Sequence, residues 1–369
     1  MHAIDLTIII LGFKFKLNFP RLSSSTYISQ FFKSILLVHS SYFRSCFLPR
    51  MLTILTILIK LCLVLCSEIE VQTRLGKIRG IIQKSRKDND YFSFRGVRYA
   101  EPPVGENRFQ PAIPVKPWSG VMDATKNGFI CPQAEISHSL MSEDCLILNI
   151  YTKSLQKRLL PVMFYVHGGR FAIGGSHSEI FWDPRYLMDK DVVLVTVNYR
   201  LGILGCIATA SEEAPGNLAL KDQVLALKWV RDNIRNFGGD PNQVTLWGHS
   251  AGSMMVTLHL AIAMSGSATS HVVTYVQNTT KHVAKTLLCP TENSMLMIEC
   301  LRILPWEKFV ELIPRSFDWF YEIEGDFGQE RFMAQHPSIL LSQGKIARVP
   351  IIAGITKDEI DPLAAGKIS

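Results

Sequence analysis

The chain has 369 residues, 47% hydrophobic and 19% charged, a composition of folded protein with no disordered bulk and enough length for one large domain or two small ones. Its formal charge of +7 is unevenly placed: residues 1–67 hold seven Lys/Arg and one acid, while the remaining 302 residues hold 32 basic and 31 acidic side chains. A body this close to neutral has no basic footprint, which argues against nucleic acid as a partner.

Residues 1–50 keep neither a helical nor a strand period for long, and are rich in Ser and Phe and poor in acids. Met51 then opens MLTILTILIKLCLVLC, an apolar run with Lys60 inside it, followed by Ser67 and Glu68. That pattern is the apolar core of a secretory signal peptide, too short and too interrupted for a stable membrane span. The expected organisation is an upstream extension over 1–50, a signal peptide over 51–67, and one domain over 68–369. Secretion means an oxidising compartment, where cysteines pair. Cys46, Cys62 and Cys66 lie in the leader. Of the other five, Cys131 is near Cys145 and Cys289 is near Cys300, so these two bridges are expected. Cys206, in the apolar run GILGCIA, is left as a buried thiol. Asn278-Thr279-Thr280 is the glycosylation sequon.

Short strand-like runs follow at 69–73, 77–83, 91–99 and 146–151, then longer ones at 161–166 and 192–199. A helix is predicted for LALKDQVLALKWVRDNIRNF. There Leu220, Val224, Leu227, Val230, Arg231 and Ile234 recur at three- and four-residue steps, until Gly238-Gly239 ends it. Residues 243–247 read as a strand with a helix after Gly252, and 349–354 as the last strand. Buried strands alternating with helices predict a mostly parallel α/β sheet with helices on both faces.

Three groups each sit just after one of these strands: His167-Gly168-Gly169-Arg170, Ser250, and Asp358-Glu359. In open α/β sheets, sites lie beyond the carboxyl ends of the strands. Ser250 is the centre of Gly248-His249-Ser250-Ala251-Gly252, a G-x-S-x-G turn between strand and helix that pushes a serine Oγ outward. A serine hydroxyl needs a histidine to take its proton, an acid to orient that histidine, and backbone donors for the oxyanion. The glycines at 168 and 169 let backbone N–H groups turn inward for the last role.

The segment FGGDPNQVTLWGHSAG, with Glu143-Asp144-Cys145-Leu146-Ile147-Leu148-Asn149 and FRGVRYAEPPVGENRF, resembles the type-B carboxylesterase and cholinesterase family, of the secreted insect kind. The resemblance runs over residues 69–364. It implies an α/β-hydrolase fold with small N-terminal antiparallel strands and the C-terminal part missing. It implies Ser250 as nucleophile, Glu359 as triad acid, and Gly169, Arg170 and Ala251 as oxyanion donors. The same two disulfides are implied, with Arg108–Glu143 and Arg200–Asp222 as structural ion pairs. It implies a small-molecule ester as partner, and neither cofactor nor metal.

Five departures from the family pattern stand beside these matches. Arg170 occupies a position where the family prefers Gly or Ala, so a long cationic side chain must find room. His249 replaces a common Glu; adjacent to Ser250 in a tight turn, it points away and is no substitute base. The loop between Cys131 and Cys145 has no Trp, so a cation–π site for quaternary ammonium is not expected. Roughly ten residues of the pattern are absent between Leu260 and Ala261. A shortened or distorted helix is therefore expected after Ser250, with the next strand, 261–264, having to start at the opposite edge of the sheet and no residues left for a loop. Only ten residues follow Glu359 and none is His. The 369 residues alone are thus expected to be inactive, and the 68–369 segment to be unstable. The alternative is a catalytically dead, esterase-like adhesion or binding protein. The retained Ser250, Gly169 and Glu359 favour the enzyme.

Overall fold

Runs of β-branched and aromatic residues become strands where they can be covered on both sides. The computed structural model describes residues 4–10, 13–19, 68–155, 159–181, 183–259, 262–264, 276–312, 319–345 and 348–354. The chain divides into two units, residues 1–66 and 67–369. In the first, β1 (Ile4–Ile10) and β2 (Phe13–Phe19) pair antiparallel in register from Ile4 with Phe19 to Ile10 with Phe13. This corrects the expectation of no sustained strand pattern there: four Ile and a Thr in one run and three Phe in the other carry strong β-propensity. The leader 51–66 lies outside the described residues.

The second unit is built on a ten-stranded sheet. Its strands are β3 (Glu68–Gln72), β4 (Lys77–Lys84), β5 (Asp90–Arg98), β6 (Val121–Asp123), β7 (Ile147–Thr152), β8 (Leu160–Val166), β9 (Val193–Val197), β10 (Gly239–His249), β11 (Ile262–Met264) and β12 (Ala353–Gly354). The spatial order is β12-β11-β10-β8-β9-β7-β5-β4-β3, with β6 beside β4. From β3 to β9 the strands of this path pair antiparallel; β9, β8, β10, β11 and β12 are mutually parallel. Every residue of β7 and β9 is buried, as strands covered on both faces require. The predicted strands are all present, but the run at 349–354 keeps only Ala353 and Gly354 as strand, and β6 was not foreseen.

The helix predicted after Gly216 forms as α2 (Leu218–Asn233), following the short α1 (Gly202–Cys206), and tightens into a 3₁₀ turn at Ile234–Phe237. Leu220, Val230 and Ile234 of the predicted face are buried and Val224 and Leu227 half-buried, while Arg231 is exposed. The buried face is wider than predicted, since Asp222, Gln223, Ala226, Trp229 and Asn233 are buried as well. Polar pairing accounts for Asp222. Arg200 Nε and Nη2 donate to Asp222 at 2.8 and 2.6 Å, so a carboxylate occupies the core-facing side. Gly238 ends the element with φ 78°, and a Cβ there would stand 2.0 Å from the Ser154 carbonyl oxygen, so only glycine fits.

After the strand β10 comes α3 (Ala251–His259), nine residues long, or about 14 Å at 1.5 Å per residue. It is indeed short, but the chain does not travel to the opposite edge as expected. β11 pairs Ile262 with Trp247 and Met264 with His249, at the carboxyl end of β10. A helix too short to run the length of an eleven-residue strand lets the chain turn back early, so β11 gains only three residues of ladder. Cys131–Cys145 and Cys289–Cys300 are bridged as expected. Cys206 is unpaired and buried, its thiol pushed up to about 12 by burial.

Candidate active site

Two parallel neighbours, β8 and β10, deliver the candidate groups. They pair from Val162–Val244 to Val166–Gly248, so both strands end at the same level. Immediately beyond, Ser250 adopts φ 55°, a left-handed conformation unusual for a non-glycine residue, and Ala251 starts α3. Glycine makes so sharp a turn possible. A Cβ on Gly248 would lie 2.5 Å from the carbonyl of Gly252; one on Gly252 would lie 2.2 Å from Val166 O. The first turn of α3 therefore rests directly on the end of β8. Ser250 O accepts from Met254 N at 3.1 Å, and the serine is half-buried.

The loop leaving β8 abuts this elbow. A Cβ on Gly168 would stand 2.5 Å from His249 O and 3.1 Å from Ser250 Cβ. Gly169 has φ 114°, Arg170 56° and Phe171 61°, three successive residues in the region that favours glycine. The left-handed conformation costs a non-glycine residue roughly 1–2 kcal/mol. The Arg170 side chain is exposed, which answers how a long cation fits: the backbone takes the glycine-like shape and the guanidinium leaves the loop. The carbonyl of Gly169 accepts from both Ala172 N and Ile173 N at 3.0 Å, closing the loop on itself. Ala251 is the first residue of α3, so its N–H belongs to the first turn, which has no intrahelical acceptor. The positive end of the helix thus faces the space beside Ser250.

His167 stands behind the loop. Its Nδ1 lies 2.8 Å from Gly168 O, its ring stacks on Tyr199 at 4.2 Å, and Tyr199 Oη donates to His167 O at 2.5 Å. Burial lowers its pKa to about 4, so it is neutral near pH 7, with Nδ1 carrying the proton given to Gly168 O. His249 is exposed. His259 lies 3.2 Å from Gln223 Oε1 and packs edge-on against Phe332. Among the described residues, no histidine hydrogen-bonds Ser250. Glu359 and Asp358 lie outside the described residues.

The two implied ion pairs are present and buried. Arg108 Nε donates to Glu143 Oε1 at 2.7 Å, and Arg108 also reaches the carbonyls of Leu301, Arg302 and Leu304 at the end of α5 (Ser294–Ile303), which follows α4 (Val276–Thr286). A small open pocket of about 50 Å³ touches the loop through Ala172 and Ile173. Leu201, Gly202, Phe309 and Trp319 also line it, and Ser250 does not. Phe309 belongs to α6 (Glu307–Leu312). Among the described residues, no group of three or more His, Cys, Asp or Glu is placed to hold a metal ion.

Sequence reasoning missed a set of buried carboxamides behind the loop. Gln133, Asn149 and Asn198 are 3%, 1% and 2% exposed. Gln133 grips Gly174, Asn149 Nδ2 donates to Ser176 O at 2.7 Å, and Ser176 N donates to Asn198 Oδ1 at 2.7 Å. The available signal was a lone Asn inside or ending an otherwise apolar strand, at 149 and 198.

Residues 67–368 match the model of the carboxylesterase family. The chain belongs to the carboxylesterase family. It is 37% identical over 320 residues to venom carboxylesterase-6 of Apis mellifera, covering 79% of this chain and 57% of that one. It is 38% identical to a juvenile hormone esterase of Tribolium castaneum, covering 78% and 54%. Among solved structures, juvenile hormone esterase of Manduca sexta, with OTFP covalently attached, superposes with a TM-score of 0.72 at 32% identity, over 77% of this chain and 59% of that one. The sheet is therefore that of an α/β-hydrolase. The chain spans a little over half the length of the curated relatives it matches. Among the described residues no helix is long and apolar enough to cross a membrane.

Proposed function

We propose that this chain carries the nucleophile and oxyanion half of a secreted serine carboxylesterase acting on small uncharged esters. The observation that carries the reading is Ser250 at φ 55° between β10 and α3, with Gly168 packed against it. Ser250 Oγ attacks the ester carbonyl. The N–H groups of Gly169, Arg170 and Ala251 receive the negative charge that develops on its oxygen. Glu359 orients the general base. The alcohol leaves, and water releases the acid from the acyl-enzyme. Family membership and the esterases among the relatives support this reading.

Among the described residues no histidine hydrogen-bonds Ser250, and the buried His167 and His259 are engaged elsewhere. A serine without a hydrogen-bonded base is expected to acylate slowly. A fluorophosphonate probe followed by mass spectrometry tests the assignment. The label is expected on Ser250, lost in Ser250→Ala, and formed faster when imidazole is added as a substitute base. Label retained in Ser250→Ala would name another nucleophile. No label at any imidazole concentration would favour the adhesion-type reading, in which the fold serves only as a binding surface.

A further inference from the structure

We propose that Gln133 is a positioning residue for the oxyanion loop, and that through it the Cys131–Cys145 disulfide holds that loop in shape. The proposal rests on the oxyanion assignment above and goes beyond it in naming what sets the loop's geometry. The Gln133 carboxamide is buried and pairs with both polar groups of one residue. Its Oε1 accepts from Gly174 N at 2.8 Å and its Nε2 donates to Gly174 O at 2.7 Å. The second Nε2 hydrogen goes to Cys131 O at 3.1 Å. Three of the four hydrogen-bonding positions of the amide are thus filled. Two parallel bonds to one residue fix its orientation as well as its position.

Gly174 is where such a grip counts. It has φ 117°, and a Cβ there would lie 2.3 Å from His167 Nδ1 and 2.6 Å from Gly168 O. Gly174 is therefore the wall behind the His167–Gly168 contact. Gly168 O and the N–H of Gly169 belong to one planar peptide and point in opposite directions. With the carbonyl held toward His167 and Gly174, the Gly169 N–H is aimed the other way. On its far side Gln133 is two residues from Cys131, whose partner Cys145 precedes β7. The path from the disulfide to the oxyanion donor is Cys131, Gln133, Gly174, Gly168, with a hydrogen bond or a van der Waals contact at each step. A misplacement of about 1 Å at a reacting group can cost a hundredfold in rate, so the outcome is measurable.

The test compares wild type with Gln133→Leu, Gln133→Glu, and a Cys131→Ser/Cys145→Ser double variant. Two readouts are used: amide exchange over residues 168–176, and fluorophosphonate labelling of Ser250 resolved into a limiting rate and a half-saturating concentration. In Gln133→Leu, exchange in the loop is expected to rise at least about tenfold, with β9 unchanged. The limiting rate should fall about tenfold to a hundredfold, with half-saturation within about twofold. Combining Gln133→Leu with the cysteine pair should add little, because both act through one link. Gln133→Glu is the conservative variant. Ionised, it can only accept and faces two carbonyl oxygens; protonated, its O–H restores a donor. Its rate relative to wild type should recover as pH falls, which a residue serving only to fill space would not show. Unchanged loop exchange, a wild-type limiting rate, a flat ratio for Gln133→Glu, or full additivity with the cysteine pair would each overturn the proposal. Label surviving Ser250→Ala would instead overturn the nucleophile assignment on which it rests.

Discussion

The two flanks of β10 are built differently. On one side β8 pairs with it from Val244 to Gly248, and the loop beyond β8 is gripped by three buried carboxamides and by His167 and Tyr199. On the other side β11 contributes three residues of ladder and β12 two. Close packing makes the difference concrete. Added Cβ atoms at Gly168, Gly169, Gly174, Gly248 and Gly252 all meet backbone atoms or a ring within 2.6 Å, whereas at Gly354, in β12, one meets nothing within 4 Å. The comparison teaches where rigidity is invested. The flank that carries the loop after β8 has no slack, while the flank of β11 and β12 is short and open.

Substitutions at the two flanks should widen this contrast. The largest effect is expected from Asp222→Asn. The carboxylate is 0% exposed and holds Arg200, itself 3% exposed, which in turn donates to Gln110 O at 2.8 Å. Leaving a buried guanidinium unpaired should cost about 3–5 kcal/mol, read as a shift of the urea midpoint at constant slope. A loss below about 1 kcal/mol would mean that the core around α2 relaxes far more than its packing implies.

Gly252→Ala comes next. Its Cβ would meet Val166 O at 2.2 Å and His167 O at 2.6 Å, both backbone atoms that cannot rotate away, so overpacking of about 1–3 kcal/mol is expected. Labelling of Ser250 should be lost with it. The partner experiment is Gly354→Ala, where open space predicts a change within about 0.5 kcal/mol. Equal effects at the two glycines would erase the contrast.

The third test uses pH. Glu322 is buried beside Gly216, and burial, with Glu324 next in importance, raises its carboxyl from 4.5 to about 7 against the pull of Lys221. The native state holds this proton more tightly than the unfolded chain. Its stabilising contribution is therefore complete below about 4.5 and is lost as pH rises to about 7, amounting to at most about 3 kcal/mol. Glu322→Gln should remove that slope and stabilise the protein at pH 8. His167 works in the opposite sense. Its pKa is lowered from 6.5 to about 4, so its neutral form contributes stability above 6.5 that is lost as pH falls toward 4. Thermal unfolding between pH 4 and 8 for wild type and Glu322→Gln separates the two slopes. If stability of the wild type and the variant changes in parallel, Glu322 is not the group responsible.

Much of this protein was legible without coordinates, because the deciding interactions are local. The G-x-S-x-G turn needs glycines at fixed offsets from Ser250, the strand and helix periods follow from alternating burial, and the paired cysteines lie within fourteen residues of each other. Other features depend on residues far apart in sequence. The burial of Asp222 on α2, beside the apolar face that its period announces, depends on Arg200. The early return of the chain into β11 followed from helix length measured against the sheet. Gln133 is forty-one residues from Gly174, and a glutamine two places after a cysteine has no period or motif to announce it. Hydrogen bonds across such distances exist only once the sheet has brought its loops together, so only the tertiary structure decides what stands behind the loop after β8.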